Sequence, residues 1–156
     1  MSAVMPTVFY KDPTAALDWL DRAFGLELGM LLTDPEGRFA HAEVTWRGEP
    51  ITVGGEWSSA ELLGPASMKS PASLDGVGTQ FVRLILEEGI DAHCERARAA
   101  GARITQEPET QFYGARTYRA LDLEGHVWNF SQTVQERSIE EMQKASGLTF
   151  KTGAGQ

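Results

Sequence analysis

The feature that most constrains this chain is a spacing of glycines that occurs twice. Two glycines lie 11 residues apart (48 − 37 = 11), and the same spacing returns 77 residues later (114 − 37 = 77): Gly37 and Gly48, then Gly114 and Gly125. Gly25 and Gly101, each at the end of a predicted helix, have nearly the same offset (101 − 25 = 76). Glycine supplies the positive φ that tight turns and helix ends need. The repeated spacing therefore predicts an internal duplication.

Each repeat is predicted to fold as a strand, a helix and three further strands. In the first repeat, residues 4–11 are rich in β-formers. Asp12 and Pro13 are favoured at a helix start, and Gly25 follows the helical repeat of apolar residues. Three strands are then predicted at about 27–34, 38–47 and 50–56. The second repeat keeps this order, with a strand at 79–86, a helix at 91–100 and strands at about 103–107, 115–123 and 126–132.

The two repeats are predicted to be modules of a single domain over residues 1–142. Its fold class is α+β: two tandem β-α-β-β-β modules form a curved mixed sheet with the helices on the convex face, followed by a C-terminal helix. That helix begins with a capping box at Ser138. The linker, rich in Ser, Pro and Gly, either covers part of the molecule or is a passive spacer. The boundaries are module one at 4–56, the linker at 57–78, module two at 79–132, the C-terminal helix at 138–146 and a disordered tail at 147–156.

Composition restricts the class of protein and its partners. With 42% hydrophobic residues, the chain can bury one core that two small modules share. The net charge of −8 argues against a nucleic-acid partner; it is compatible with a cationic ligand, and it is also an ordinary means of staying soluble. No apolar run is long enough for a membrane span, and the first ten residues lack a signal pattern. The single cysteine, Cys94, excludes an intrachain disulfide and is expected to be buried. These features predict a cytoplasmic protein without membrane contacts.

Strand alternation predicts which side chains line a cleft on the side of the sheet away from the helices. Apolar alternation in residues 39–46 turns His41 and Glu43 toward this cleft, and the 77-residue offset assigns Tyr118 and Asp122 to it as well. The polar residues predicted to line the cleft are His41, Glu43, Glu56, Arg83, Tyr118, Asp122 and Asn129. The apolar residues predicted to join them are Met5, Phe9, Phe39 and Phe81. This mixture suits a small-molecule pocket, and a solvated sheet face is the alternative.

The histidines differ in what the sequence predicts for them. His41 and Glu43 share one strand face and are expected to meet Glu56 of the next strand. Such a set is able to hold a weakly bound metal or to act as an acid/base pair, and a hydrogen-bonded polar wall is the alternative. His93 is predicted to be exposed on its helix. His126 is predicted to be a hydrogen-bonding residue of the turn that it follows.

Three segments carry a family resemblance: FAHAEV at 39–44, QFYGARTYRALDLEGHVW at 111–128 and SIEEM at 138–142. With the doubled β-α-β-β-β order, they make the chain similar to the vicinal oxygen chelate superfamily. This superfamily groups glyoxalase I, extradiol dioxygenases, and fosfomycin and bleomycin resistance proteins. The strongest resemblance is to its phosphonate-operon-like, glyoxalase/bleomycin-resistance branch. The resemblance implies paired modules, often completed by dimerisation, so a homodimer is expected.

The resemblance also implies where a cofactor belongs. In the catalytic members, His, Gln or Glu side chains from the first and last strands of each module hold a divalent metal in the cleft. The matching positions here are Met5, Thr52, Phe81 and Asn129. None of them is a good ligand for a divalent cation, so no metal ligand carries over from the family. The expectation is therefore a protein without a metal cofactor.

Two functions from different classes remain open at this point. The first is a metal-free protein that binds a small, cationic or aromatic molecule in the cleft. Its predicted ligand-binding residues are Phe9, His41, Glu43, Glu56, Phe81, Arg83, Tyr118 and Asn129. The second is a lyase or isomerase of the glyoxalase kind, in which His41 and Glu43 transfer protons with or without a divalent metal. A dimeric scaffold with a vestigial cleft is a third alternative, and the modules are able to pair within one chain or across a dimer.

Overall fold

The computed structural model describes residues 2–58 and 67–153 of the chain. Residues 59–66 of the predicted linker and residues 154–156 of the predicted tail lie outside the described residues. Within the described part, no helix is both long and apolar enough to cross a membrane.

Module one has the predicted order of elements. It consists of β1 (Thr7–Tyr10), α1 (Pro13–Phe24), β2 (Glu27–Thr33), β3 (Phe39–Trp46) and β4 (Glu49–Gly55). The strands form one mixed sheet in the order β1-β4-β3-β2, with β1 parallel to β4 and the other pairs antiparallel. Asp12 caps α1 by accepting a hydrogen bond from the Ala15 amide, and Gly25 ends the helix at φ 75°. The predicted start and end of this helix are confirmed.

Module two repeats the architecture after a long connection over residues 56–80. The connection contains a two-stranded pair, β5 (Trp57–Ser58) with β6 (Ser67–Met68), and a 3₁₀ turn at Pro71–Ser73. The module itself consists of β7 (Phe81–Leu86), α2 (Ile90–Ala99), β8 (Arg103–Thr110), β9 (Ala115–Leu121) and β10 (Val127–Thr133). Its sheet has the equivalent order β7-β10-β9-β8. The helix α3 (Ile139–Ser146) follows, and Ser138 and Glu141 form its capping box. The predicted α+β fold of two tandem modules with a C-terminal helix is confirmed, with the strands divided into two four-stranded sheets.

The two modules share a core within one chain. The Phe24 ring at the end of α1 packs against Trp128 and Phe130 of β10, with ring centroids 5.6 Å and 4.9 Å apart. The Trp19 indole of α1 donates to the Ala100 carbonyl at the end of α2, at 2.9 Å. Burying these rings between the modules removes a large apolar area from water, which neither module achieves alone.

The sheets meet at their edge strands, β1 and β7, where side chains replace a backbone ladder. The His126 Nε2 lies 2.7 Å from the Phe9 carbonyl of β1, and the Trp46 indole donates to the Ile85 carbonyl of β7 at 3.1 Å. In each case the donor comes from the opposite module. Edge carbonyls that would otherwise remain unpaired at the junction are thereby satisfied.

A buried carboxylate, Asp122, organises this junction. It accepts hydrogen bonds from the Tyr10 hydroxyl (2.6 Å), the Trp128 indole (3.0 Å) and the backbone amides of Glu124 and His126 (both 3.0 Å). Burial by itself raises the pKa of the Asp122 carboxyl. The hydrogen bond and charge of the His126 imidazole, with the hydrogen bonds from Tyr10 and Trp128, outweigh it and hold this pKa below its usual value. Asp122 is therefore an ionised link between β1 and the β9–β10 turn.

The placement of Tyr118 and Asp122 corrects the sequence prediction. Both were expected to face the cleft, but Tyr118 is fully buried in the core and Asp122 lies in the junction. The β3–β4 turn contains two residues, Arg47 and Gly48, between the paired Trp46 and Glu49. The β9–β10 turn contains one residue more, 123–125, because the Asp122 amide donates to the His126 carbonyl. A one-residue change reverses the faces of a strand, so the offset from β3 to β9 is 76 and not 77.

His93 also differs from its prediction, since it is largely buried between the modules and not exposed. Its Nε2 lies 2.8 Å from the Phe24 carbonyl, which only accepts, so Nε2 carries the proton and Nδ1 accepts from the Tyr118 hydroxyl at 2.6 Å. Burial and the charge of Arg96 lower the pKa of His93, against the opposing effect of the Phe24 carbonyl. Cys94 beside it is buried as predicted, and burial raises the pKa of its thiol to about 11.

The hydrogen bond from Tyr10 to Asp122 in the junction predicts that Tyr10→Phe causes a large loss of stability. Removing the hydroxyl breaks a hydrogen bond to a buried charge, which contributes about 1.5–3 kcal/mol. Urea denaturation should show this decrease in the free energy of unfolding. Tyr113→Phe, at a tyrosine 39% exposed, is the matched control and should change stability little. Equal effects of the two variants would contradict the role of the junction.

His93 predicts a pH dependence of stability. Because its folded-state pKa is lowered, the unfolded chain binds the proton more readily; the stabilisation is present above the ordinary value of 6.5 and is lost as the pH falls below it. His93→Gln keeps a donor and an acceptor without titrating. Urea denaturation between about pH 7.5 and about pH 5.5 should show a smaller loss of stability for this variant than for the wild type. The same loss of stability in His93→Gln and in the wild type would contradict this role of His93.

Candidate functional site

The candidate site lies on the open face, defined as the strand side chains that point away from α1 and α2. In module one, the paired residues Thr7, Thr52 and Glu43 form a row on this face across β1, β4 and β3. In module two, the equivalent row is Arg83, Asn129 and Arg119 across β7, β10 and β9. The two outer positions of the row thus carry a threonine and a carboxylate in module one. In module two they carry two guanidinium groups.

The four positions that correspond to the family's metal ligands do not form a metal site. The Thr52 hydroxyl donates to the Met5 thioether at 3.2 Å, and the Asn129 amide oxygen accepts from Arg83 Nε at 3.0 Å. Phe81 supplies a phenyl ring that is 51% exposed. Zinc and magnesium need imidazole, thiolate or carboxylate groups, and this donor set does not fit them. Within residues 2–58 and 67–153, no group of three or more His, Cys, Asp or Glu side chains is arranged to hold a metal ion.

His41 and Glu43 come together on β3, but Glu56 does not join them. His41 Nε2 lies 3.8 Å from Glu43 Oε1, and both side chains are partly exposed. The Glu56 carboxylate instead binds the connection between the modules, because it accepts a hydrogen bond from the Ser70 amide at 2.8 Å. The nearby Ser73 hydroxyl and then the Ser70 amide lower the pKa of Glu56. Glu56 therefore anchors the chain, which the sequence did not predict.

The anchored segment, residues 67–80, is called the strap. Its Ser70 is fully buried, and its Pro71 lies against the Gly125 turn of module two, where an added Cβ would be 3.5 Å from Pro71 Cβ. Between the strap and the edge strands is a cavity of about 80 Å³. The cavity is mostly apolar; its lining includes Thr7, Phe9, Phe81 and Val127 from the strands and Met68, Pro71, Leu74 and Val77 from the strap. The described part of the linker thus covers a cavity, which was one of the two alternatives.

Aromatic side chains shape one wall of this cavity. Phe9 meets Trp57 edge to face, with ring centroids 6.4 Å apart. A Cβ at Gly54 would lie 3.0 Å from two carbons of the Phe9 ring, so the ring occupies space that only a glycine leaves open. Phe9 and Phe81, both predicted as ligand-binding residues, are therefore placed in one cavity.

A second, wider cavity of about 410 Å³ lies at the opposite end of the junction. It is lined in part by Val4 and Pro6 before β1, by Trp46 and Ile51, and by Ile85 of β7. Phe81 and Ile85 point to the same face of one strand and are almost equally exposed, at 51% and 52%. Substituting one or the other of these two residues therefore tests in which cavity a ligand binds.

Arg119 and Leu121 are open-face residues that the sequence prediction missed. They pair with Asn129 and Val127 of β10, which were assigned to this face correctly. The error came from the offset of 77, which assigned Tyr118, Ala120 and Asp122 to the open face. The only local indication of the longer β9–β10 turn was the sequence Leu-Glu-Gly of residues 123–125. This sequence suits a three-residue turn with glycine in the left-handed conformation.

Comparison with known proteins gives a family and a set of relatives. The model of the glyoxalase/bleomycin resistance protein/dioxygenase superfamily matches residues 3–130. The uncharacterized protein Rv0887c of Mycobacterium tuberculosis is 30% identical over 144 residues, which cover 92% of this chain and 81% of that protein. The uncharacterized protein Mb0911c of Mycobacterium bovis has the same identity over 144 residues, with 92% and 91% covered.

Solved structures support the same fold. TioX from Micromonospora sp. ML1 is 28% identical and superposes with a TM-score of 0.66, covering 85% of this chain and 99% of that one. The fosfomycin resistance protein FosX from Listeria monocytogenes is 16% identical with a TM-score of 0.56, covering 91% and 98%. At that identity the likeness to FosX concerns the fold alone.

The anchoring of the strap predicts the behaviour of Glu56→Gln. The change keeps the shape of the side chain but removes the charge that strengthens the hydrogen bond from the Ser70 amide. Trypsin should cleave after the exposed Lys69 several times faster than in the wild type, as followed by mass spectrometry. Glu49→Gln, at an exposed position of β4, the strand that Glu56 follows, is the control. Unchanged cleavage in Glu56→Gln would show that this carboxylate does not hold the strap.

Proposed function

Because the chain belongs to the glyoxalase/bleomycin resistance protein/dioxygenase superfamily, we propose that it binds a small organic molecule on its open face without a metal cofactor. The observation that carries this proposal is the cavity beneath the strap. Small-molecule sites are concave and mostly apolar, with a few polar groups that orient the ligand. The cavity has that composition, but its volume of about 80 Å³ holds only part of such a molecule. The remainder would lie on the open face beyond it, which carries the polar rows of both modules.

Phe81 is the best probe of this proposal. Half of its ring is exposed in the free protein, so a ligand that covers the ring gains apolar burial. A dye-displacement screen should first identify a ligand, and calorimetry should then compare variants. Phe81→Ala is expected to weaken binding about tenfold, which corresponds to about 1.4 kcal/mol.

Ile85→Ala is the matched control, since it lies on the same strand and face but lines the second cavity. A larger effect of Ile85→Ala than of Phe81→Ala would place the ligand at the wrong end of the junction for this proposal. Elemental analysis of the purified protein provides an independent check. One tightly bound zinc or nickel ion per chain would contradict metal-free binding.

The second candidate function is proton transfer in a lyase or isomerase of the glyoxalase kind. The 3.8 Å approach of His41 to Glu43 favours it, because an imidazole beside a carboxylate is a common acid/base arrangement. A glutathione-hemithioacetal assay tests this function. Turnover that disappears in both His41→Gln and Glu43→Gln would establish it in place of simple binding.

We also propose that the protein is a homodimer, and that a second copy covers two exposed apolar elements. Every residue of β2 is exposed, including Met30, Leu31 and Leu32 at 38%, 43% and 50%. No residue of α3 is buried, and an eight-residue helix is too short to be stable in water without packing. A chain with an exposed apolar edge strand and an unpacked amphipathic helix suits a contact with another copy of itself.

The association state tests the homodimer. Sedimentation of the wild type should give a dimer, and Leu32→Glu should shift it toward monomer because the charge is buried on association. Leu123→Glu, at a leucine 41% exposed in the β9–β10 turn, is the control. A wild type that remains monomeric at high concentration would contradict the proposal.

A further inference from the structure

The open face of module two is arranged in rows that alternate in chemistry. Phe81 pairs with Val127, and Val127 pairs with Leu121, so one row across β7, β10 and β9 is apolar. The next row, two residues further along each strand, is Arg83, Asn129 and Arg119. Side chains two residues apart on a strand point to the same face, so the two rows lie side by side.

Both arginines of the second row retain unused donors. Among the described residues, 2–58 and 67–153, neither Arg83 nor Arg119 forms an ion pair with a carboxylate. Arg83 uses its Nε–H on the Asn129 amide oxygen at 3.0 Å, which leaves its terminal NH₂ groups free. This bond also fixes the Asn129 amide so that its NH₂ group faces away from Arg83.

The spacing of the row suits an anion. Neighbouring strands lie about 4.8 Å apart, so the Cα atoms of Arg83 and Arg119 flank Asn129 at roughly 10 Å from each other. Both side chains are long enough to converge above Asn129, which is only 4% exposed and therefore held in place. Guanidinium groups bind carboxylates with two parallel hydrogen bonds, and the Asn129 amide adds a further donor.

We propose that this row binds the carboxylate of an apolar organic anion, such as an aryl carboxylate, while the adjacent apolar row and the strap hold its ring. The inference rests on the proposed function and adds the chemical class of the ligand. Phe81 and Val127 belong both to the apolar row and to the cavity beneath the strap, whereas Arg83 also lines the second cavity. The two rows are adjacent along the strands, so the ring and the carboxylate are bound side by side.

Local charge here outweighs the net charge of the chain. The total of −8 was compatible with a cationic ligand, but interactions in water are screened beyond about 8–10 Å at physiological salt. On the open face, Glu43 occupies in module one the position that Arg119 occupies in module two (119 − 43 = 76). At this position the negative side chain thus lies in module one, and the carboxylate of the ligand is directed to the arginines of module two. Glu109, which pairs with Thr117, is a carboxylate of the neighbouring row of module two.

Two probes that differ only in charge test the inference. Calorimetry should compare 2-naphthoate with its neutral analogue 2-naphthamide on the full-length protein. The wild type should bind naphthoate about tenfold more tightly than naphthamide, since charge-assisted hydrogen bonds are about twice as strong as neutral ones. Arg83→Gln and Arg119→Gln should each remove most of this preference, because they should weaken the binding of naphthoate more than that of naphthamide. Arg22→Gln on the outer surface of α1, with the same change in net charge, should keep the full preference.

The readout also distinguishes this inference from the proposed function. Equal binding of the two probes by the wild type, with both weakened by Phe81→Ala, would overturn the anion site and leave small-molecule binding intact. A preference for naphthoate that persists in the Arg83→Gln/Arg119→Gln double variant would overturn the assignment of the row. Absence of binding by either probe would count against both proposals. In the expected case, naphthoate also shifts the NMR signals of the Asn129 side-chain amide in the wild type.

Discussion

The buried carboxylate of Asp122 is the interaction on which the paired arrangement depends. It is ionised in a place where burial alone favours the neutral form, because the His126 imidazole, and then the Tyr10 hydroxyl and the Trp128 indole, stabilise the charged form. A charge in such a place is costly unless every acceptor site is used, so β1 must lie where the Tyr10 hydroxyl reaches it. The position of β1 in turn determines where the cavity and the open face meet.

Duplication gives the molecule two equivalent contacts made with different chemistry. Trp46 of module one donates to the Ile85 carbonyl, and the turn that begins at Asp122 of module two places His126 against the Phe9 carbonyl. The two acceptors are related by the offset of the repeat (85 − 9 = 76), whereas the two donors are not (126 − 46 = 80). Each module has an unpaired sheet edge at the junction, and in each case a side chain of the opposite module donates to it. Because the two modules share a backbone architecture but not their side chains, the open face carries Glu43 in one module and Arg119 in the other.

The strap makes the two ends of the junction unequal. At one end, Glu56 holds the strap across Phe9 and Phe81 and leaves a small covered cavity. At the other end, Val4 and Pro6 of the segment before β1 line a wider cavity, and the described residues contain no second segment anchored like the strap. A ligand that needs an apolar cover therefore has one suitable end, although the modules themselves are alike.

The sequence by itself determined the duplication, the order of the elements and the helix caps, since glycine, proline and capping residues act through local backbone geometry. It also indicated that Met5, Thr52, Phe81 and Asn129 do not form a metal site, because residue type alone decides ligand chemistry. Only the tertiary structure decided which face of β9 is open, since one additional residue in a turn exchanged Tyr118 for Arg119. It likewise decided that His93 is buried and that Glu56 holds the strap, because those contacts join segments far apart in the chain. Local patterns specify elements, whereas contacts between distant elements specify the site.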